Sequence, residues 1–347
     1  MAITPLAPED FPKPWQKPDY ETLRDCLDQL RVKPRIWNPK VSRSDIQREL
    51  AREEEATAYQ QREAVSWLSS IVSSSLGWIA DADQQEEIWN EASKRMAERC
   101  GRTAMGEITR SWPFDSEKDG QAFELTIREP PITGDSLGLK TWGSSYVLAQ
   151  LLPQFAETSL SHLLSAEKPR IPVLELGSGT GLLGMAAASL WHVPVILTDM
   201  PDIMPNLIHN VEANRAVVDS LGGSIDTAPL VWGDNLRSDK RFETPFQYKL
   251  VIVADPIYDD DHPELLSGAI HQQLSREDGA RALVMVPLRD ETTKRLLSVF
   301  RDRLTEDDRQ IICVEEDTVP GEDDWDEDDD SHALDCWWGV LRRSMTE

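Results

Sequence analysis

The sequence predicts an α/β protein, a doubly wound and mainly parallel sheet of seven strands preceded by an N-terminal helical extension. Three observations carry this. Beyond about residue 170, β-rich runs such as "LVIVAD" and "ALVMV" alternate with helical segments. A glycine-rich turn, "GSGTGLLG" over 177–184, sits between the first of those runs and a helix. The earlier part of the chain instead carries helical spacing interrupted by prolines.

Taken in order, Pro5, Pro8, Pro12, Pro14 and Pro18, with Pro34 and Pro39 further on, suit an extended arm in which only Asp19 to Leu30 reads as helix. Ile46, Leu50, Val65, Leu68, Val72, Leu76 and Ile79 recur every three or four residues behind Ser44, a suitable N-cap, and predict one long helix or two in tandem. Asp83 with Glu86 resembles a capping box, and Gly101 is expected to close the helix carrying Ile88, Trp89, Ala92 and Met96.

After "SWPF" the pattern changes. Phe123, Leu125 and Ile127 alternate as in a strand, Pro130 and Pro131 break it, and Gly134, Asp135 and Gly138 mark turns before "LKTWGSSYVLAQLL" enters a helix. The expected division is therefore 1–115 for the arm and helical extension and 116–347 for a catalytic domain. Its strands are expected at 172–176, 194–198, 228–232, 249–254, 281–286, 310–314 and 336–341, with an acidic, solvated loop over 315–335.

Composition narrows the function classes. Thirty-six Lys and Arg against 62 Asp and Glu give a net charge of −26, which repels phosphate backbones and favours basic partners over nucleic acid. No apolar run approaches a membrane span, and the N-terminal stretch lacks the basic-then-apolar pattern of an export signal. The four cysteines form no C-x-x-C pair, so neither a zinc site nor a disulfide framework is expected and a reducing, cytoplasmic setting fits. The six histidines show no metal-ligand spacing and no catalytic pairing.

The glycine turn contains two overlapping signatures. Gly179, Gly181 and Gly184 spell the G-x-G-x-x-G of a dinucleotide site, whereas Glu175, Gly177 and Gly179 spell E-x-G-x-G. A pyrophosphate needs a helix N-terminus free of negative charge, and Glu175 stands just before this one. A sulfonium cofactor with an ammonium tail instead benefits from an acid there, so S-adenosylmethionine is the favoured ligand. Asp199 ends the second strand, where a carboxylate can accept from both ribose hydroxyls or cap the following helix. Trp232, Gly233 and Asp234 can flank an adenine ring, and Ala254, Asp255 and Tyr258 leave the fourth strand at the same edge of the sheet.

With these residues in hand, the sequence resembles the class I, seven-strand methyltransferases, and among them the protein-lysine methyltransferase group called family 16. The marks, from about Gly138 onward, are "TWGSSYVLAQLL", "LELGSGTGLLG", "TDMPDIMPNLIHNVEAN", "LVWGD", the D-x-x-Y of "DPIY" and the terminal "CWWGVL". The resemblance implies a Rossmann-like fold and S-adenosylmethionine held by Trp142, Glu175, the Gly177, Ser178 and Gly179 turn, Asp199, Trp232 and Ala254. It also implies an acceptor bordered by Asp255 and Tyr258. The proline-rich arm with its helical extension is similar to that of fungal enzymes acting on translation elongation factor 2, which points to a protein substrate; the chain is expected to be a monomer. "DPIY" also resembles the [DN]-P-P-Y of enzymes methylating planar nitrogens, with Ile257 replacing the second proline. Two other classes remain open on sequence: an NAD-dependent oxidoreductase, from the second glycine signature, and a non-catalytic protein-binding module, from the helical appendage and acidic run.

Overall fold

A computed structural model describes residues 7–30, 62–97, 107–114, 122–131, 137–165, 169–306, 310–322 and 333–344. Ser44, Ile46, Leu50, Pro34, Pro39, Gly101, Gly134 and Asp135 lie outside the described residues, as does the middle of the acidic run. The described residues divide into two compact units, the first up to Ile108 and the second from Thr109.

In the first unit, helices α1 (Tyr20–Gln29), α2 (described over 62–72) and α3 (Ala82–Ala97) bury Leu23, Cys26, Leu27, Trp67, Leu68, Ile71, Ile88 and Ala92 together. Asp19 caps α1 by accepting from Thr22 N at 2.8 Å. Among the described residues, Pro8, Pro12, Pro14 and Pro18 do not make an extended arm; Pro5 lies outside them. Pro8–Asp10 and Pro14–Gln16 are 3₁₀ turns with proline in the first turn, and the Pro12 and Pro18 carbonyls accept from Trp67 Nε1 (2.9 Å) and Trp78 Nε1 (2.7 Å). The helix expected to run on to Ile79 stops at 72, although Leu76 and Ile79 still bury their side chains in the same core. There Val72 is 39% exposed, Leu76 takes a left-handed φ of 45°, and Ser74 Oγ accepts from Leu76 N, a serine side chain competing with the helix for its backbone. At α3 the cap is Asp81, whose Oδ1 accepts from Asp83 N at 2.9 Å, so the start lies two residues before the expected Asp83.

The second unit carries a seven-stranded sheet in the order β5-β4-β3-β6-β7-β9-β8. Its strands are β3 (Val173–Leu176), β4 (Pro194–Asp199), β5 (Ser224–Pro229), β6 (Leu250–Ala254), β7 (Arg281–Pro287), β8 (Ile311–Glu322) and β9 (Ala333–Arg343). The first five pair in parallel, and β9 runs antiparallel between β7 and β8. β1 (Ile108–Phe114) and β2 (Phe123–Glu129) form a separate two-stranded sheet. The strand order reverses between β3 and β6, so the loops leaving their carboxyl ends share one crevice.

Strand alternation assigns the two faces. Leu174, Leu176, Val251, Val253, Ala282, Val284 and Val286 join one core with Leu266 and Ile270 of α8 (His262–Gln273) and Leu296, Phe300 and Leu304 of α9 (Glu291–Leu304). The alternate residues, Glu175 among them, face the other layer, built from α4 (Gly143–Glu157), α6 (Leu182–Trp191) and α7 (Met204–Ser220). A one-turn helix, α5 (Ser161–Leu164), follows α4.

Two boundaries differ from expectation. The strand expected at 228–232 is β5, four residues earlier, because polar Ser224, Asp226 and Thr227 alternate on this edge strand where a buried apolar run was sought. The acidic stretch 315–335 is not wholly loop. Glu315, Glu316 and Asp317 belong to β8, paired with Val340, Gly339 and Trp338. An outer strand leaves these side chains in water, and Arg301 and Trp337 Nε1 each hydrogen-bond Glu316.

Candidate active site

The glycine turn hangs from β3 and is tied to the end of β4. Ser178 N donates to Thr198 O (2.8 Å), Thr198 N to Ser178 Oγ (2.9 Å), and Gly179 N to Asp199 Oδ2 (2.7 Å). Gly179 has a φ of 56°, and a Cβ there would stand 3.2 Å from the Gly138 carbonyl oxygen, so neither its conformation nor its room suits a side chain. Thr180 shares a 2.8 Å hydroxyl contact with Thr141, which links the turn to the segment leading into α4.

Glu175 resolves the two overlapping signatures. It is 2% exposed, and a Cβ on Gly184 would lie 2.3 Å from its Oε2 and 2.7 Å from Leu197 Cγ. The glycine at 184 is therefore required by a carboxylate packed on the first turn of α6. Burial pushes the Glu175 carboxyl up to about 8, with Asp199 adding to the shift while the Ser178 hydroxyl and the Gly184 amide oppose it. Its Oε2 is a fully buried acceptor without a hydrogen bond of good geometry.

Asp199 uses both oxygens on backbone amides, Oδ2 for Gly179 and Oδ1 for Met200, each at 2.7 Å. Burial raises it to about 6 against those two bonds. It braces the glycine turn and does not cap α7, which starts at Met204 without a side-chain cap. Each oxygen retains a lone pair for a further donor such as a ribose hydroxyl.

Trp232 follows β5 with its ring against Gly177, where a Cβ would come within 3.2 Å of it. Trp142 stands at the N-terminus of α4, its ring between Lys140 Nζ (4.6 Å) and the Arg289 guanidinium carbon (4.7 Å). Ala254 ends β6 opposite Met285. Asp255 adopts a left-handed φ of 54° and is gripped on both oxygens. Arg289 donates Nη1 to Oδ1 (2.8 Å) and Nη2 to Oδ2 (2.5 Å), and Ser144 Oγ donates to Oδ2 (2.9 Å).

Tyr258 is 51% exposed and meets the His262 ring edge-on at 4.2 Å. Burial, then the carboxylates of Asp199, Asp255 and Asp259, push its phenol up to about 12, so it stays neutral. His262 was not singled out among the histidines. It accepts from Tyr258 N (3.4 Å), stands 6.3 Å edge-on from Trp232, and is held below its ordinary range by burial, so a neutral ring joins the two aromatics. Arg289 and Ser144 also escaped the sequence reading. The available signals were "PLRD" leaving β7 at the same sheet edge and the D-x-x-Y-x-x-x-H spacing from Asp255 to His262.

An amide ladder supports the site from behind. Asn206, Asn210 and Asn214, one turn apart on α7, pair with the β2 backbone: Arg128 N donates to Asn210 Oδ1 (2.9 Å), Thr126 N to Asn214 Oδ1 (2.8 Å), and Asn206 Nδ2 to Arg128 O (3.2 Å). Asn210 Nδ2 also reaches Thr180 O in the glycine turn at 3.0 Å. Among the described residues, no group of three or more His, Cys, Asp or Glu is arranged to hold a metal ion, and no helix is long and apolar enough to cross a membrane.

A family model described as lysine methyltransferase matches residues 120–303. The chain is similar to the protein-lysine N-methyltransferase rrg1 of Schizosaccharomyces pombe, 29% identical over 85% of this chain and 86% of that protein. It is also similar to the protein-lysine N-methyltransferase EFM2 of Saccharomyces cerevisiae, 33% identical over 69% of this chain, spanning 57% of that protein's length. The protein-lysine methyltransferase METTL21E of Mus musculus is 33% identical over 42% of this chain and 55% of its own length. The matched model covers more than half of the sequence, from just before β2 to the last turn of α9, and the chain belongs to the lysine methyltransferase family.

Proposed function

We propose that the second unit transfers a methyl group from S-adenosylmethionine to the side-chain nitrogen of a lysine in a protein substrate. The observation that carries the choice of cofactor is the Glu175 carboxyl on the first turn of α6. It packs beneath the glycine turn against Gly184 and Leu197, so an approaching phosphate would have an acid under the helix N-terminus that is meant to bind it. A cationic ligand seated on the turn would favour the ionised form of this carboxyl, which burial alone holds protonated up to about pH 8. The residues fit such a ligand: a tight turn at Gly177 and Gly179, carboxyl groups at Glu175 and Asp199 against it, and the Trp232 ring packed on Gly177.

Bound there, S-adenosylmethionine supplies a methyl carbon on cationic sulfur, open to in-line attack by a neutral lysine nitrogen as the sulfur–carbon bond breaks. The chain's part is binding and alignment. Asp199 holds the turn and offers lone pairs to ribose hydroxyls, while Trp232 and Trp142 wall the ligand. Tyr258, neutral and half-exposed, presents an aromatic face that attracts an ammonium by about 0.5–2 kcal/mol. Asp255 borders the acceptor as an anchored ion pair, not as a free base.

The finer reading names translation elongation factor 2 as the acceptor protein. It is supported by the resemblance of the proline-rich and helical N-terminal region to fungal enzymes acting on that factor. The net charge of −26 adds a general preference for a basic surface around the lysine. We also read the protein as a cytoplasmic monomer, the four cysteines without a pairing framework fitting a reducing setting. The test is radiolabelled methyl transfer into cell-extract protein by the purified chain, with Asp199→Ala as control. Label in lysine that disappears in the variant is expected. Label only in nucleic acid, or calorimetric binding of NAD with none of S-adenosylmethionine, refutes the reading.

A further inference from the structure

Arg289 lies between the two halves of the site. Its backbone is set by both neighbours: Leu288 N donates to Asp335 O at 2.7 Å, and Asp290 caps α9 by accepting from Thr293 N at 2.7 Å. From that anchored position the guanidinium carbon lies 4.7 Å from the centre of the Trp142 ring while Nη1 and Nη2 donate to Asp255, so it touches a cofactor-side residue and an acceptor-side residue at once. The pair is mostly shielded, with side-chain exposures of 24% for Arg289 and 6% for Asp255.

We propose that Arg289 is a positioning residue that sets the charge met by the acceptor amine, holding Asp255 in a two-bond ion pair so that its carboxylate does not stabilise the lysine as ammonium. This rests on the reading that lysine is the acceptor. Only a neutral amine has the lone pair that attacks, and a carboxylate within reach favours the protonated form. The charged and titratable groups around this rim are Asp199 beyond β4, Asp255 beyond β6, Tyr258, Asp259 and His262 in the following loop and helix start, Lys140 before α4, and Arg289 beyond β7. The field of Asp199, Asp255 and Asp259 reaches Tyr258, whose phenol they raise. Arg289 is the cation bonded to the carboxylate nearest the β6 end, and without it the amine faces three acids with that charge uncompensated.

The experiment measures the single-turnover rate of methyl transfer against pH, at acceptor concentrations where the rate no longer rises, because the bound amine titrates in the enzyme–acceptor complex. It uses the full chain, labelled S-adenosylmethionine, and the total protein of a cell extract freed of small molecules. In Arg289→Gln the ascending limb should move to higher pH by about one unit, the lower end of the shift a nearby charge produces. Arg289→Lys should stay close to wild type, since it keeps the charge. A residue needed only for folding would lower the rate at every pH without moving the limb. The double variant Arg289→Gln/Asp255→Asn replaces the ion pair by a neutral pair of similar volume and should restore the wild-type limb. It carries the test if Arg289→Gln alone does not fold. An unmoved limb in Arg289→Gln, or a displaced limb in the double variant, overturns the inference. A wild-type chain that labels no lysine overturns the functional reading beneath it, and the wild-type arm distinguishes that failure.

Discussion

Replacing Glu175 by glutamine keeps the shape of the buried side chain and removes its ionisation. The folded-state pKa of about 8 lies above the ordinary carboxyl value of 4.5, so between those values the folded chain holds a proton that the unfolded chain has released. Stability from this group is complete below pH 4.5 and is lost as pH rises toward 8. Integrating the two titrations between pH 5 and 8 gives a loss of about 3 kcal/mol, an order-of-magnitude figure with each pKa unit counting about 1.4 kcal/mol. Asp199, raised to about 6 from 3.8, acts in the same direction at lower pH and is present in both proteins. The assay is urea unfolding of wild type and Glu175→Gln at pH 5, 6, 7 and 8. The stability difference between them should swing in favour of the variant as pH rises. Parallel curves across that range would refute the buried, unsatisfied carboxyl on which the cofactor argument stands.

Other substitutions test neighbouring links. Gly184→Ala drives a Cβ to within 2.3 Å of Glu175 Oε2 and 2.7 Å of Leu197 Cγ, so it should destabilise by about 2 kcal/mol, despite alanine's better helix propensity, and should weaken S-adenosylmethionine binding in calorimetry. Asn210→Ala leaves Arg128 N and Thr180 O short of partners in a buried site. A loss of about 2–3 kcal/mol is expected in a thermal melt, and no loss would show that water replaces the amide. His262→Ala removes the ring against Tyr258 and the acceptor for its amide. The acceptor KM should rise roughly three- to tenfold, the worth of one aromatic pair, with the S-adenosylmethionine KM nearly unchanged.

Legibility in the sequence followed the kind of interaction involved. β3, β4, β6 and β7 were readable within one or two residues because strands buried on both faces must be apolar throughout. β5 and β8 were misplaced or cut short because edge strands carry polar residues such as Asp226 and Glu316, which read as loop. The Asn206, Asn210 and Asn214 ladder repeats at helical spacing, yet a search for apolar periodicity passes over amides. Its purpose depends on β2, some eighty residues earlier in the chain.

Sequence by itself determined the alternation of strands and helices, the positions of the glycines, and the presence of acids at the ends of β3, β4 and β6, since these are properties of short contiguous segments. Only the tertiary structure decided what those acids do. Glu175 turns under the loop onto Gly184, Asp199 spends its oxygens on two amides, and Asp255 is claimed by Arg289, thirty-four residues away. The physical reason is that a carboxylate's role is set by its burial and its partners, and in a doubly wound sheet those partners arrive on separate crossovers that no local pattern records.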